Sequence, residues 1–201
     1  MLDKNDAISR MSANSPVTIE IGCGDRKRDP EAIGIDILET ASTDIVGDVL
    51  EVLKRVPSGS VKSITSFHVF EHLANVSAIL VEVERTLVRG GEMVVVVPHF
   101  SNPFYYSDPT HVRFFGLYTF SYFCEDVVFR RRVPRYACVA GLKLYSVKLV
   151  FKSFPPRYIT HGFRKVFQFV FNFSSWMQEI YEDSFSGLIS CYEVQYKIRK
   201  V

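Results

Sequence analysis

Five short β-branched runs, most of them ending at a glycine or an acid, constrain this chain more than any bulk property. Val17-Thr-Ile-Glu-Ile21 halts at Gly22, and Ile33-Gly-Ile-Asp-Ile37 repeats the pattern. Asp44-Ile-Val-Gly-Asp48 is a shorter third run, Val61 to Phe67 a fourth, and Glu92 to Val97 the fifth and most apolar. Such runs suit strands buried on both faces, as in parallel sheets. Between the last two, Val76, Ile79, Leu80, Val83 and Leu87 recur at helical spacing, with Asn75 as cap and Arg89-Gly-Gly91 as the expected stop. Strands alternating with helices require right-handed crossovers, so the spacing predicts an α/β fold with a Rossmann-like, doubly wound, mostly parallel sheet. The stretch from Asp25 to Ala32 is too short for a full crossover helix and carries Pro30, so one or two helical turns are expected there.

Past Pro98 the pattern changes. Residues 99–140 are rich in aromatics, Pro, His and Arg without periodicity, as in a long excursion over a site. Leu142 to Phe151 alternates like a strand, Phe163 to Trp176 reads as helical, and Tyr192 to Ile198 alternates again, giving a C-terminal antiparallel strand pair. The expectation is one domain over residues 1–201, with a binding core over about 17–100, the excursion over about 99–140, and strands and helix over 141–201. With 47% apolar and 23% charged residues, a chain of 201 residues buries a core without disulfides or metals. Cys23, Cys124, Cys138 and Cys191 form no C-x-x-C pair and no zinc-ligand spacing with a histidine, so no metal site and a reduced, cytoplasmic setting are expected. The N-terminus is too polar for a signal peptide, and no apolar run reaches the roughly 18 to 20 residues of a membrane span.

In an open parallel sheet, ligands bind beyond the carboxyl ends of the strands at the switch point. Gly22 and Gly24 follow the first strand directly, where glycine lets a ligand approach the backbone. Asp36 ends the second strand, and its carboxylate could accept both hydroxyls of a ribose. A dinucleotide site wants a third glycine where this chain has Lys27, and it binds a diphosphate. The acidic Glu20 before Gly22 suits a cationic ligand such as a sulfonium instead. A Rossmann-type NAD-binding oxidoreductase and a non-catalytic partner subunit are the alternatives.

Glu20-Ile-Gly-Cys-Gly24 resembles the first motif of the class I S-adenosylmethionine-dependent methyltransferases, and Ile33-Gly-Ile-Asp36 and Val46-Gly-Asp48 resemble the second and third. Ser66-Phe-His-Val-Phe-Glu-His-Leu73 is similar to the S-x-H-V-L-E-H-L segment of the type 11 subgroup, and Leu87-Val-Arg-Gly-Gly91 to its turn before the next strand. The resemblance implies the class I methyltransferase fold with S-adenosylmethionine as cofactor. It implies that Gly22 and Gly24 face the methionine part, Asp36 the ribose, Asp48 and Val49 the adenine, and the His68 backbone the sulfonium, with Glu20, Cys23 and Ile37 also in the cofactor site. The acids also have plainer readings: Asp48 as N-cap of a helix from Val49, and Glu71 and His72 as caps of the helix that follows them.

Transfer to oxygen or nitrogen requires the acceptor to lose a proton. His99, Asp108 and His111 lie in the excursion and are the catalytic candidates, with His111 as base and Asp108, three residues earlier, to orient it. Asp108-Pro-Thr-His could equally be a turn, and His99 a satisfied structural histidine. Asp108 to Phe115 is also similar to small subgroup members linked to surface-polysaccharide or glycolipid modification. Between Asp126 and Glu179 no acid occurs, while Arg130, Arg131, Arg132, Arg135, Lys143, Lys148, Lys152, Arg157, Arg164 and Lys165 alternate with aromatics that include Phe129, Tyr136, Phe151, Phe154, Tyr158, Phe167 and Trp176. That suits an anionic glycan or small-molecule acceptor, or peripheral contact of region 129–176 with an anionic membrane. Burial in a lid or a homodimer contact is the plainer reading of Phe163 to Phe173. Nucleic acid is disfavoured, since no RNA-binding appendage is recognisable and the net charge is only +2.

Overall fold

The computed structural model describes residues 1–135 and 139–201; Tyr136 and Cys138, named above, lie outside them. Nine strands form one sheet: β1 (Leu2–Asp3), β2 (Val17–Ile21), β3 (Ile33–Asp36), β4 (Ile45–Val46), β5 (Val61–Phe67), β6 (Leu87–Pro98), β7 (Glu125–Asp126), β8 (Leu142–Val150) and β9 (Glu193–Lys200). Their order across the sheet is β1-β4-β3-β2-β5-β6-β9-β8-β7. Strands β4, β3, β2, β5 and β6 are mutually parallel, whereas β9 runs antiparallel to both β6 and β8. The chain winds outward from β2 to β3 and β4, then returns to β5 and β6 on the other side. The reversal between β2 and β5 opens a crevice at their carboxyl ends.

The helices form where caps and stripes agree. Helix α1 (Val49–Leu53) starts at Asp48, whose carboxylate accepts the amides of Leu50 and Glu51 at 2.9 and 3.2 Å. Helix α2 (Val76–Thr86) is capped by Asn75 and buries Val76, Ile79, Leu80 and Val83 against the sheet. It ends before the expected Arg89-Gly-Gly91 stop, because Leu87 is already the first residue of β6. Its last carbonyls find other donors: the Arg85 carbonyl accepts from the Gly59 amide at 3.0 Å, and that of Glu84 from Lys200 Nζ at 2.5 Å. The core draws Met93, Val95, Val96 and Val97 of β6 inward on both faces, as a central parallel strand requires, while β9 alternates Val194, Tyr196 and Ile198. Cys23, Cys124 and Cys191 are all buried.

Residues 2–3, which no pattern in the sequence marks, form a strand: β1 pairs antiparallel with β4, and Asp3 accepts the amides of Ala7 and Ile8. Two expectations are corrected. No helical turn occurs between β2 and β3; the loop is held by side chains, as shown below. The helix expected over Phe163 to Trp176 is two, α3 (Tyr158–Phe171) and α4 (Ser175–Ile180), the second capped by Ser174. Within a single copy of the chain only Phe171 of α3 is buried. Among the described residues no helix is long and apolar enough to cross a membrane.

Candidate active site

At the crevice, Gly22 and Gly24 both adopt left-handed backbone, with φ of +73° and +54°. A Cβ on Gly22 would stand 2.0 Å from Val69 Cγ2, so a side chain there is excluded by packing as well as by backbone. Gly24 differs, since nothing lies within 4 Å of where its Cβ would be. Its amide donates to Asp36 Oδ2 at 2.9 Å, and Asp36 Oδ1 accepts from the Leu38 amide at 2.9 Å. A bare, open glycine thus sits directly beside an acid at the end of β3, and the neighbouring Ile37 and Leu38 hold apolar side chains out in solvent. Cys23 turns its sulfur down toward Ser42 and Thr43, leaving backbone on the crevice side.

Glu20 is engaged with the loop that follows. It is buried, and its Oε2 accepts the amides of Arg28 and Asp29 at 2.9 and 3.4 Å. Lys27, in the place of the third glycine, donates to the Ala32 carbonyl and pairs with Asp44 at 2.9 Å. Together these bonds replace the missing helix. Arg28 reaches across the switch point, with its guanidinium 3.7 Å above the Phe67 ring. Asp48 spends one oxygen on capping α1, and Val49 is buried beside it.

After β5, His68 also takes left-handed backbone (φ +56°), and its amide donates to the Val96 carbonyl. Its Nε2 lies 2.8 Å from Glu193 Oε1, which also pairs with Lys152 at 2.7 Å. The bond to Glu193, and next the Glu71 carboxylate, hold the His68 pKa up at about 9. Nothing in the sequence pattern marked Glu193 or Lys152 as partners of this histidine.

The three catalytic candidates separate. His99 is fully buried, with Nδ1 on Ser101 Oγ at 2.8 Å and Nε2 on Glu182 at 3.2 Å, packed against Tyr181. Both of its nitrogens are spent on structure. Asp108 accepts Thr110's amide and hydroxyl at 2.9 and 2.5 Å, bonds that hold its carboxyl below the usual range. It makes the turn, and it lies 3.7 Å from His111 Nε2. The orienting partner of His111 is instead the Tyr105 carbonyl, 2.8 Å from Nδ1. His111 stacks near Tyr105 and sits 4.8 Å, ring to ring, from His72.

Glu71 and His72 cap no helix: they occupy a short 3-10 turn (Phe70–His72), and Asn75 caps α2 in their place. His72 Nδ1 bonds Thr110 Oγ1 at 2.9 Å. The Val112 amide bonds the Glu71 carbonyl, so the excursion is pinned onto this turn. Beside it opens a cavity of about 590 Å³ walled by Val76, Phe100, Phe115, Tyr118 and Phe123, which none of the crevice residues line.

Residues 19–95 match a family described as a methyltransferase domain. No curated protein sequence matches the chain. Among solved structures, an S-adenosylmethionine-dependent methyltransferase of Archaeoglobus fulgidus superposes with a TM-score of 0.58 at 14% identity, covering 94% of this chain and 87% of that one. The YcgJ protein of Bacillus subtilis gives 0.53 at 16% identity, covering 98% and 97%. Phosphoethanolamine N-methyltransferase 2 of Haemonchus contortus, bound to S-adenosylmethionine, gives 0.53 at 11% identity, covering 92% of this chain and 48% of that one. The chain has the class I methyltransferase fold of these S-adenosylmethionine-dependent enzymes. Within it, residues 19–95 are a type 11 methyltransferase domain.

Proposed function

We propose that this chain transfers a methyl group to an oxygen or nitrogen of a small-molecule, glycan or lipid-linked acceptor, with its cofactor in the crevice bounded by Gly22, Gly24, Asp36, Ile37 and His68. The observation that carries the reading is the open, left-handed Gly24 beside the Asp36 carboxylate. A backbone free of side-chain atoms, an acid for ribose hydroxyls and two exposed apolar side chains for a purine fit S-adenosylmethionine. When bound it supplies a methyl carbon made electrophilic by its sulfonium. Glu20 acts through the loop it anchors, and Asp48 and Val49 shape the adenine end while starting α1. His111, whose Nε2 carries no hydrogen bond among the described residues, activates the acceptor from the excursion side, with Asp108 fixing the turn. The aromatic cavity beside it suits the apolar face of a sugar or a lipid chain.

Calorimetry with S-adenosylhomocysteine tests the cofactor half. Asp36→Ala should weaken binding by about 2 kcal/mol, since a charge-assisted pair of hydrogen bonds is lost. Unchanged affinity in that variant would remove Asp36 from the site.

A second reading concerns where the acceptor is met. Ile159, Phe163, Val166, Phe169, Phe173 and Trp176 are exposed, with Arg157 and Lys165 alongside and no acid between Asp126 and Glu179. An apolar stripe with basic flanks is what an anionic lipid surface binds. Several cations of the region are already engaged, Lys143 with Glu125, Lys152 with Glu193 and Arg164 with two carbonyls, so Arg157 and Lys165 beside the stripe supply attraction next to it. Cosedimentation with vesicles containing anionic lipid should be lost on Phe169→Ser with Phe173→Ser. A stable homodimer that hides the stripe, seen by ultracentrifugation, would overturn this reading.

A further inference from the structure

Glu71 is the one acid here that is fully buried with both carboxylate oxygens unpartnered by hydrogen bonds among the described residues. His68 Nδ1 stands 3.4 Å from Oε1, a charge contact without hydrogen-bond geometry. The His68 imidazole supplies one positive neighbour on the Oε1 side, but neither oxygen of the buried carboxylate receives a hydrogen bond, so acceptor capacity is left for a further cation. What faces it is a pair of imidazoles: one donor atom each of Glu71, His72 and His111 lie within 4.8 Å of one another.

The hydrogen bonds fix which nitrogens are bare. His111 Nδ1 meets the Tyr105 carbonyl, which can only accept, so Nδ1 carries the proton and Nε2 of the neutral ring is a free lone pair. Thr110 gives its hydroxyl proton to Asp108, so its oxygen must accept from His72 Nδ1, and His72 Nε2 is likewise bare. A carbonyl behind one imidazole and a hydroxyl–carboxylate chain behind the other are the outer partners that orient histidines toward a metal. His72 is exposed, which leaves a path in and positions open to solvent. Two imidazoles and one carboxylate with open positions suit a divalent first-row transition ion.

We propose that Glu71, His72 and His111 bind one such ion, with Asp108, Thr110 and Tyr105 as positioning residues. Metal–nitrogen bonds of about 2.0–2.1 Å need donors within roughly 4 Å of each other, so binding draws the three inward from their present spacing of up to 4.8 Å. Cysteine spacing could not have announced this site, because no sulfur takes part.

The ion's task, unlike its binding, rests on the methyl-transfer reading above. An acceptor hydroxyl on the ion becomes acidic, and its proton passes to solvent water. Its oxygen then bonds the methyl carbon as the carbon–sulfur bond breaks, and the electron pair leaves with the neutral thioether. His111 thus activates the acceptor as a ligand and not as a free base.

The test is a Co²⁺ titration of chelator-stripped, tag-free protein followed by visible absorption, with S-adenosylhomocysteine calorimetry on the same samples. One equivalent should bind; His72→Ala and His111→Ala should each weaken it by roughly 100-fold or more, and Thr110→Val by about 10-fold. In His72→Ala the S-adenosylhomocysteine affinity should be unchanged, which keeps the fold and the cofactor reading apart from the metal site. Absence of stoichiometric Co²⁺ binding, or binding indifferent to both histidines, overturns the proposal while leaving the cofactor reading standing. Loss of S-adenosylhomocysteine binding with Co²⁺ binding intact would do the reverse.

Discussion

Helices α2 and α3 both carry an apolar stripe at helical spacing, yet they attach to the sheet by different means. Helix α2 puts Val76, Ile79, Leu80 and Val83 into the core. Helix α3 puts in only Phe171 and turns Ile159, Phe163, Val166 and Phe169 outward. What holds this part of the chain is a seam of amides along β8. Asn172 accepts the Leu149 amide at 2.8 Å and donates to its carbonyl at 2.8 Å, while Gln168 accepts the Phe151 amide and Gln178 donates to the Val147 carbonyl. Strand β7 pairs only with Lys143 and Leu144, so the rest of that edge would otherwise be open. Docking by directional hydrogen bonds leaves the apolar stripe available for other work. Docking by burial does not.

The contrast can be broken experimentally. Leu80→Ala should cost about 2–5 kcal/mol in urea unfolding, because a fully buried side chain leaves a cavity. Asn172→Ala should cost about 1–3 kcal/mol and speed hydrogen exchange at the Leu149 amide, since two backbone groups lose their partner. Phe169→Ala should change stability by no more than about 0.5 kcal/mol, as an exposed ring contributes little to the fold. If Phe169→Ala proved as damaging as Leu80→Ala, the stripe would be core after all. An Asn172→Ala variant as stable as the parent would deny the seam its role.

The same contrast explains what the sequence could disclose. Strand 17–21 was legible as a short β-branched run stopped by Gly22, and 61–67 as an alternation of buried Val61 and Ile64 with more exposed neighbours. Strand β1 was not, since two residues flanked by polar ones pair through backbone alone. Glu20 drew attention for its charge, but the amides of Arg28 and Asp29 that use it lie in a loop with no periodicity. Glu71 and His72 resembled caps because local spacing cannot foresee that Thr110 and His111 return to them about 40 residues later. Lys152 and Glu193 meet His68 for the same long-range reason. Local rules reach the elements; the excursion and the last strand supply their partners.

Val69 occupies the space that a side chain on Gly22 would need. The turn at the crevice and the segment leading to Glu71 are therefore keyed to each other by one missing methyl group. Among related chains the two positions should be free to vary only as a pair, with any residue larger than glycine at 22 matched by something smaller than valine at 69. Even then the left-handed backbone at 22 would cost roughly 1–2 kcal/mol, so the paired exchange should be rare.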